Sequence, residues 1–175
     1  APFVLYVGNA YPHKNLELLF TVAPAFPTVT FLCVGRPDYF YLSIQKKVAA
    51  KGITNISFTG YVDDLVLGVL YRRTKAYFFP SLYEGFGLPG LEAMNYGTPV
   101  VAAERGSLPE IYGEAAIYFN PLDSQSCVEA LRTVLRGVDT QSRRQIRFTR
   151  SAQFSWRRMA HETLRLYETS QSKRY

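Results

Sequence analysis

Ala76-Tyr77-Phe78-Phe79, followed by Pro80-Ser81-Leu82-Tyr83-Glu84-Gly85-Phe86-Gly87-Leu88-Pro89-Gly90-Leu91-Glu92-Ala93-Met94, is the stretch that decides the fold. Four apolar, β-prone residues end at a proline. A glycine-bearing loop follows, and Pro89 stands where the first turn of a helix accepts a residue without an N–H. The reading is strand, loop, helix, in immediate succession. The same unit recurs outward in both directions. Strands are expected at Phe3–Val7, 29–34, 56–59, Ala76–Phe79, 99–102 and Ala116–Phe119, each nearly continuous in hydrophobicity, as strands covered on both faces are. Between them, helical spacing marks residues 15–26, 39–51, 63–73 and 89–96. Strands alternating with helices imply βαβ units, right-handed crossovers and a parallel sheet. The last third changes character, with helical faces over 124–137 and from Phe154 onward, the latter placing Trp156, Met159, Ala160, Thr163, Leu164 and Tyr167 on one side. The expected fold is an α/β, Rossmann-like parallel sheet flanked by helices and ending in helices.

The chain has 175 residues, 47% hydrophobic and 19% charged, which excludes a disordered or fibrous protein and is enough for one self-sufficient core. We read residues 1–175 as one domain. No apolar run is long enough to span a bilayer. The opening residues Ala1 to Val7 carry neither a basic n-region nor a cleavage site, so no signal peptide is expected there. Cys33 and Cys127 lie far apart in apolar surroundings and read as reduced packing residues, which makes a cytoplasmic domain the expectation. The net charge of +6 is uneven: residues 132–175 hold 11 Lys and Arg against 3 Asp and Glu, whereas the rest is slightly acidic. Arg143, Arg144, Arg147, Arg150, Arg157 and Arg158 thus define basic C-terminal helices from about residue 139. They read either as a solvated face or as a surface for anionic lipid or an acidic partner. A nucleic-acid module is not expected, because no exposed aromatics interleave with the arginines.

Ligands of such sheets bind beyond the carboxyl ends of the strands, at helix N-termini. Two junctions qualify. Gly8-Asn9-Ala10-Tyr11-Pro12-His13-Lys14-Asn15 places Lys14 just ahead of Asn15, read here as an N-cap, and a cation beside free amides suits a phosphate. The second is the loop from Pro80 to Leu88. Glu84 and Glu92 are eight residues apart, so on one continuous helix they would lie about 12 Å apart and could not form a close pair. With a helix starting near Pro89, Glu84 belongs to the loop and Glu92 to the first turns. That arrangement suits two hydroxyl-rich parts of one extended ligand with a phosphate between them. Asp63-Asp64 sits at a helix start and reads as a cap rather than as a metal-binding dyad.

These residues, with Gly97-Thr98-Pro99-Val100-Val101 after them, resemble the E-x7-E signature of the family-4 (group 1) retaining glycosyltransferases, enzymes of two-Rossmann GT-B architecture. The resemblance extends to Phe58-Thr59-Gly60-Tyr61-Val62, to Leu70-Tyr71, to Ser107-Leu108-Pro109-Glu110-Ile111 and to Phe154-Ser155-Trp156. It implies that the chain is the C-terminal, donor-binding half of such an enzyme. Glu84 and Lys14 would then be the catalytic groups. Gly8, Asn9, Lys14, Glu84, Gly85, Phe86, Gly87 and Leu88 would hold the sugar and diphosphate, Glu92 the ribose hydroxyls, and Tyr61 and Val62 the base. It implies no metal and no cofactor, since the nucleotide sugar is itself the substrate. The style of the first loop resembles mannosyltransferases and favours GDP-mannose. The family carries an arginine where this chain has Asn9, and Arg36 after Gly35 is a candidate substitute. The acceptor domain of the GT-B pair has no counterpart in these residues, so little transfer is expected from them alone. A non-catalytic nucleotide-sugar-binding or protein-interaction module is the alternative. Peripheral attachment at the inner membrane surface through the arginines is a further expectation.

Overall fold

A computed structural model of the chain describes residues 1–137 and 139–172. Lys173 and Arg174, which contribute to the basic end of the sequence, lie outside the described residues. Six strands form one sheet: β1 (Phe3–Val7), β2 (Thr30–Val34), β3 (Ile56–Gly60), β4 (Ala76–Phe79), β5 (Val100–Ala103) and β6 (Ala116–Phe119). Their order is β3-β2-β1-β4-β5-β6, and every pairing is parallel. Three of the six expected strands carry the expected bounds, two shift by one residue at one end, and β5 shifts by one residue at both. β4 and β5 are buried along their whole length, which explains their unbroken hydrophobic reading.

The helices are α1 (Leu19–Val22), α2 (Tyr39–Ala50), α3 (Asp64–Arg73), α4 (Leu88–Asn95), α5 (Leu108–Tyr112), α6 (Ser124–Arg136), α7 (Gln141–Ala152) and α8 (Trp156–Ser172). Right-handed crossovers put the connections β1-to-β2 and β2-to-β3 on one face and the later ones on the other. α6 returns to pack on α1, and α7 packs on α4. Three helices start on an aspartate: Asp38 accepts from the Tyr41 amide, Asp63 from Val66 and Asp123 from Gln125, at 2.8–2.9 Å. The capping role expected of Asp63 is therefore the one observed. No helix among the described residues is long and apolar enough to cross a membrane.

Three expectations are corrected. The helix read over 15–26 is not continuous: 3-10 turns at Leu16–Leu18 and Ala23–Ala25 flank the single α-turn α1. Pro24 has no N–H to continue an α-helix, and Asn15 is left-handed at φ 55°. Asn15 caps no helix with its side chain; its amide donates instead to the Pro121 carbonyl at 3.2 Å. The arginine cluster is also not one exposed face. Arg147 is buried, with Nε on the Gly97 carbonyl at 2.8 Å and Nη2 on both Asp139 oxygens at 2.5 and 2.6 Å. Arg150 bonds the carbonyls of Ile111 and Glu110. Both tie α7 to the body. The cysteines are free and buried, and burial pushes each thiol up to about 12.

Candidate functional site

In the order β3-β2-β1-β4-β5-β6, β1 and β4 are neighbours whose connections leave in opposite directions. That reversal opens a crevice at their carboxyl ends, the standard ligand position in such sheets. The two loops singled out in the sequence meet there. The Leu82 amide donates to the His13 carbonyl at 2.7 Å, locking the loop after β4 to the loop after β1. Across that seam Lys14 Nζ lies 2.6 Å from Glu84 Oε1, both side chains mostly covered (16% and 12% exposed). The same Nζ stands 5.8 Å over the Phe79 ring. Seventy residues of sequence separate this pair, and only the parallel adjacency of β1 and β4 brings it together.

Backbone geometry shapes the rest of the crevice. Gly87 caps α4 in the left-handed region (φ 90°), a conformation that costs a side-chain-bearing residue about 1 kcal/mol or more. Pro89 then brings no amide to the first turn, so the N-terminal end of α4 presents the amides of Phe86, Gly87 and Leu88 with the positive end of the helix dipole. Glu84 is anchored through its own backbone, its carbonyl accepting from Ser107 Oγ at 3.0 Å. Gly8 and Gly35 allow two further loops to close together: a Cβ on Gly35 would run into the Gly8 carbonyl. The Gly8 amide donates to Val34 and the Gly35 amide to Gly60, so the loops after β1, β2 and β3 form one continuous rim. Tyr61 and Val62 stand on that rim two strands from β1. Tyr61 is exposed, with the Arg36 guanidinium 5.5 Å above its ring. Asn9 folds its own loop: its Oδ1 accepts from the Tyr11 amide.

Glu92 sits in α4, as the expected helix start near Pro89 placed it. It is exposed, and Oε2 accepts from the Tyr71 hydroxyl at 3.1 Å, while among the described residues Oε1 has no hydrogen-bond partner. Among the described residues no group of three or more His, Cys, Asp or Glu could hold a metal ion.

Sequence reasoning missed the floor of the crevice, which is built of buried tyrosines. Tyr6 donates to the Asn9 carbonyl (2.5 Å), Tyr77 to Val7 (3.3 Å) and Tyr112 to Gly87 (2.5 Å). Tyr41 donates to Cys33 at 2.8 Å and accepts from the Gly60 amide at 3.3 Å. With Tyr71 on Glu92, each hydroxyl fixes one loop or one acid of the rim. Burial pushes every one of these phenols up in pKa, Tyr41 to about 12. They stay neutral and serve as hydrogen-bond donors. A signal was present: Tyr6 and Tyr77 lie inside strands read as buried on both faces, where a hydroxyl must find a partner.

Residues 1–137 match the family described as "Glycosyl transferases group 1". The chain is 32% identical over 179 residues to the O-antigen chain mannosyltransferase B of Escherichia coli, covering 95% of this chain and 45% of the relative. It is 40% identical over 170 residues to the serotype-specific mannosyltransferase WbdA of Escherichia coli, covering 91% of this chain and 21% of that protein. In three dimensions it is similar to the sucrose-phosphate synthase of Thermosynechococcus elongatus, with a TM-score of 0.87 and 28% identity over 98% of this chain and 46% of that one. The chain thus spans less than half the length of these relatives. A glycine-led rim at the β1–β4 crevice, a lysine–glutamate pair across it and the match over residues 1–137 agree, and the chain belongs to the group 1 glycosyltransferases.

Proposed function

We propose that this chain is the donor-binding half of a glycosyltransferase that takes a nucleotide-diphospho-sugar, with GDP-mannose as the donor. The observation that carries the reading is the Lys14–Glu84 pair at the crevice, beside the N-terminus of α4. A cation and free amides facing one space suit a diphosphate, whose charge grows as it leaves the sugar. Lys14 neutralises that charge. The amides of Phe86, Gly87 and Leu88 share it, with Gly8 and Gly85 allowing close approach and Asn9 shaping the loop beside them. Glu84, released by Lys14 as the phosphate arrives, accepts hydrogen bonds from the sugar. Glu92 accepts from the ribose, and Tyr61 and Val62 border the base. Mannose is favoured because O-antigen and serotype-specific mannosyltransferases are among the relatives. Transfer with retention, without a metal, is part of the same reading. Its acceptor-side groups would come from residues outside this chain, which spans 45% of the first of those relatives.

Calorimetric titration with GDP, UDP, ADP, dTDP and their sugar conjugates tests it. Selective binding of GDP and GDP-mannose, weakened by Glu92→Ala, is the expected result; absence of binding by any nucleotide at millimolar concentration rejects it. The exposed Arg143, Arg144, Arg157 and Arg158 support a second contact, with an anionic membrane surface on the cytoplasmic side. Sedimentation with anionic vesicles should then weaken as salt rises, and no binding at low salt rejects that contact.

A further inference from the structure

The loop that opens α4 is held from two sides. Tyr112 of α5 grips the Gly87 carbonyl from below. From the side, the Phe86 ring meets the Phe154 ring edge-on, with centroids 5.5 Å apart and planes at 88°. Phe154 lies in the short link between α7 and α8, one residue after Gln153 and two before Trp156. It is half-buried against the core, and its ring is covered by the Arg150 guanidinium at 5.2 Å. Arg150 is itself fixed at every nitrogen: Nε on the Ile111 carbonyl at 2.8 Å, Nη2 on the Glu110 carbonyl and Nη1 on Gln153 Oε1 at 2.7 Å. Phe154 is therefore a rigid post. Phe86, by contrast, is 40% exposed in a loop between Gly85 and Gly87, where its backbone has little of its own to hold it.

We propose that Phe154 is a positioning residue for the donor loop: its ring, backed by Arg150, holds Phe86 and so aims the amides of Phe86, Gly87 and Leu88. The consequence for phosphate binding rests on the donor reading above. The latch thus joins the loop to the link that precedes α8. Trp156, Met159, Leu164 and Tyr167 of α8 are all exposed.

The test uses the whole 175-residue chain, with Phe154→Leu to keep apolar volume while removing the ring edge, and Phe154→Tyr to restore the ring. Trp156→Ala, outside the latch, is the control. Amide exchange at Phe86, Gly87 and Leu88 should quicken about three- to tenfold in Phe154→Leu, the range set by one aromatic pair, and return in Phe154→Tyr. GDP affinity should fall by a similar factor while guanosine affinity stays level, because only the diphosphate meets these amides. Unchanged exchange in the loop overturns the latch. So does an equal loss for guanosine and GDP, or the same loss in Trp156→Ala. If the parent chain binds no GDP, the donor reading falls by itself, and the exchange experiment still decides whether Phe154 holds the loop.

Discussion

At the scale of single residues, the Lys14–Glu84 pair works against itself until a ligand arrives. Each charge is mostly covered and each is the other's partner, so the pair holds the two loops in register without a net gain comparable to its Coulomb attraction. Lys14→Met removes the cation but keeps most of the side-chain volume. It leaves Glu84 part-covered and unpaired, and should lower unfolding free energy by about 1–2 kcal/mol, discounted for the remaining solvent contact. GDP affinity should fall about 10- to 100-fold, the value of a charge-assisted contact. Denaturant unfolding and calorimetry measure the two effects; stability loss without loss of affinity would make Lys14 a purely structural cation. Tyr71 poses a different question, since it touches no open space and acts only through Glu92. Tyr71→Phe should weaken GDP about three- to tenfold and leave a dideoxyribose analogue unaffected. If both ligands weaken equally, the hydroxyl does not orient Glu92 toward a ribose.

At the scale of elements, α4 shows local preference and tertiary packing in opposition. Gly90 lies inside this helix, where alanine is intrinsically better by about 1 kcal/mol. A Cβ there would collide with the ring and hydroxyl of Tyr112, which is fully buried. Gly90→Ala should therefore destabilise, by about 1–3 kcal/mol, as overpacked cores do. A thermal melt decides between the two, and a rise in melting temperature would show that Tyr112 can yield. The same opposition explains what could be read from the sequence. β1, β4 and α4 were legible because apolar run, proline and glycine all pointed one way, and Glu84 and Glu92 were placed in loop and helix by the helix start near Pro89. The segment after Asn15 misled because its apolar spacing is helical while Pro24 interrupts the hydrogen bonding. Arg147 misled because charge pattern does not reveal that Asp139 and the Gly97 carbonyl wait for it across a fold. Short α5 carries too few residues for a period, yet its Tyr112 sets the cap of α4.

At the scale of the whole molecule, the tyrosines couple the crevice to global stability. Tyr6, Tyr41, Tyr71, Tyr77 and Tyr112 lie under the rim, and Tyr118 on the edge strand β6 donates to the Gly113 carbonyl at 2.7 Å. Burial is the first cause of the raised pKa in all six, with Tyr41 and Tyr118 pushed up to about 12. Unfolded, each would ionise near its ordinary value of 10. Above that pH the folded state holds more protons than the unfolded state, so unfolding free energy declines as pH rises, by about 1.4 kcal/mol per unit for each group fully engaged. Below it both states are protonated and the phenols contribute no slope. Acting together, such groups offset a large part of the stability of an ordinary domain. The chain should accordingly keep its far-ultraviolet helix signal up to about pH 10 and then lose it steeply. Absorbance from the buried tyrosinates should appear in the same transition. Recording tyrosinate absorbance and circular dichroism over one alkaline titration tests this. Complete phenol ionisation with helix signal intact would mean that the crevice floor is open to water, and the account of how its loops are held would fail with it.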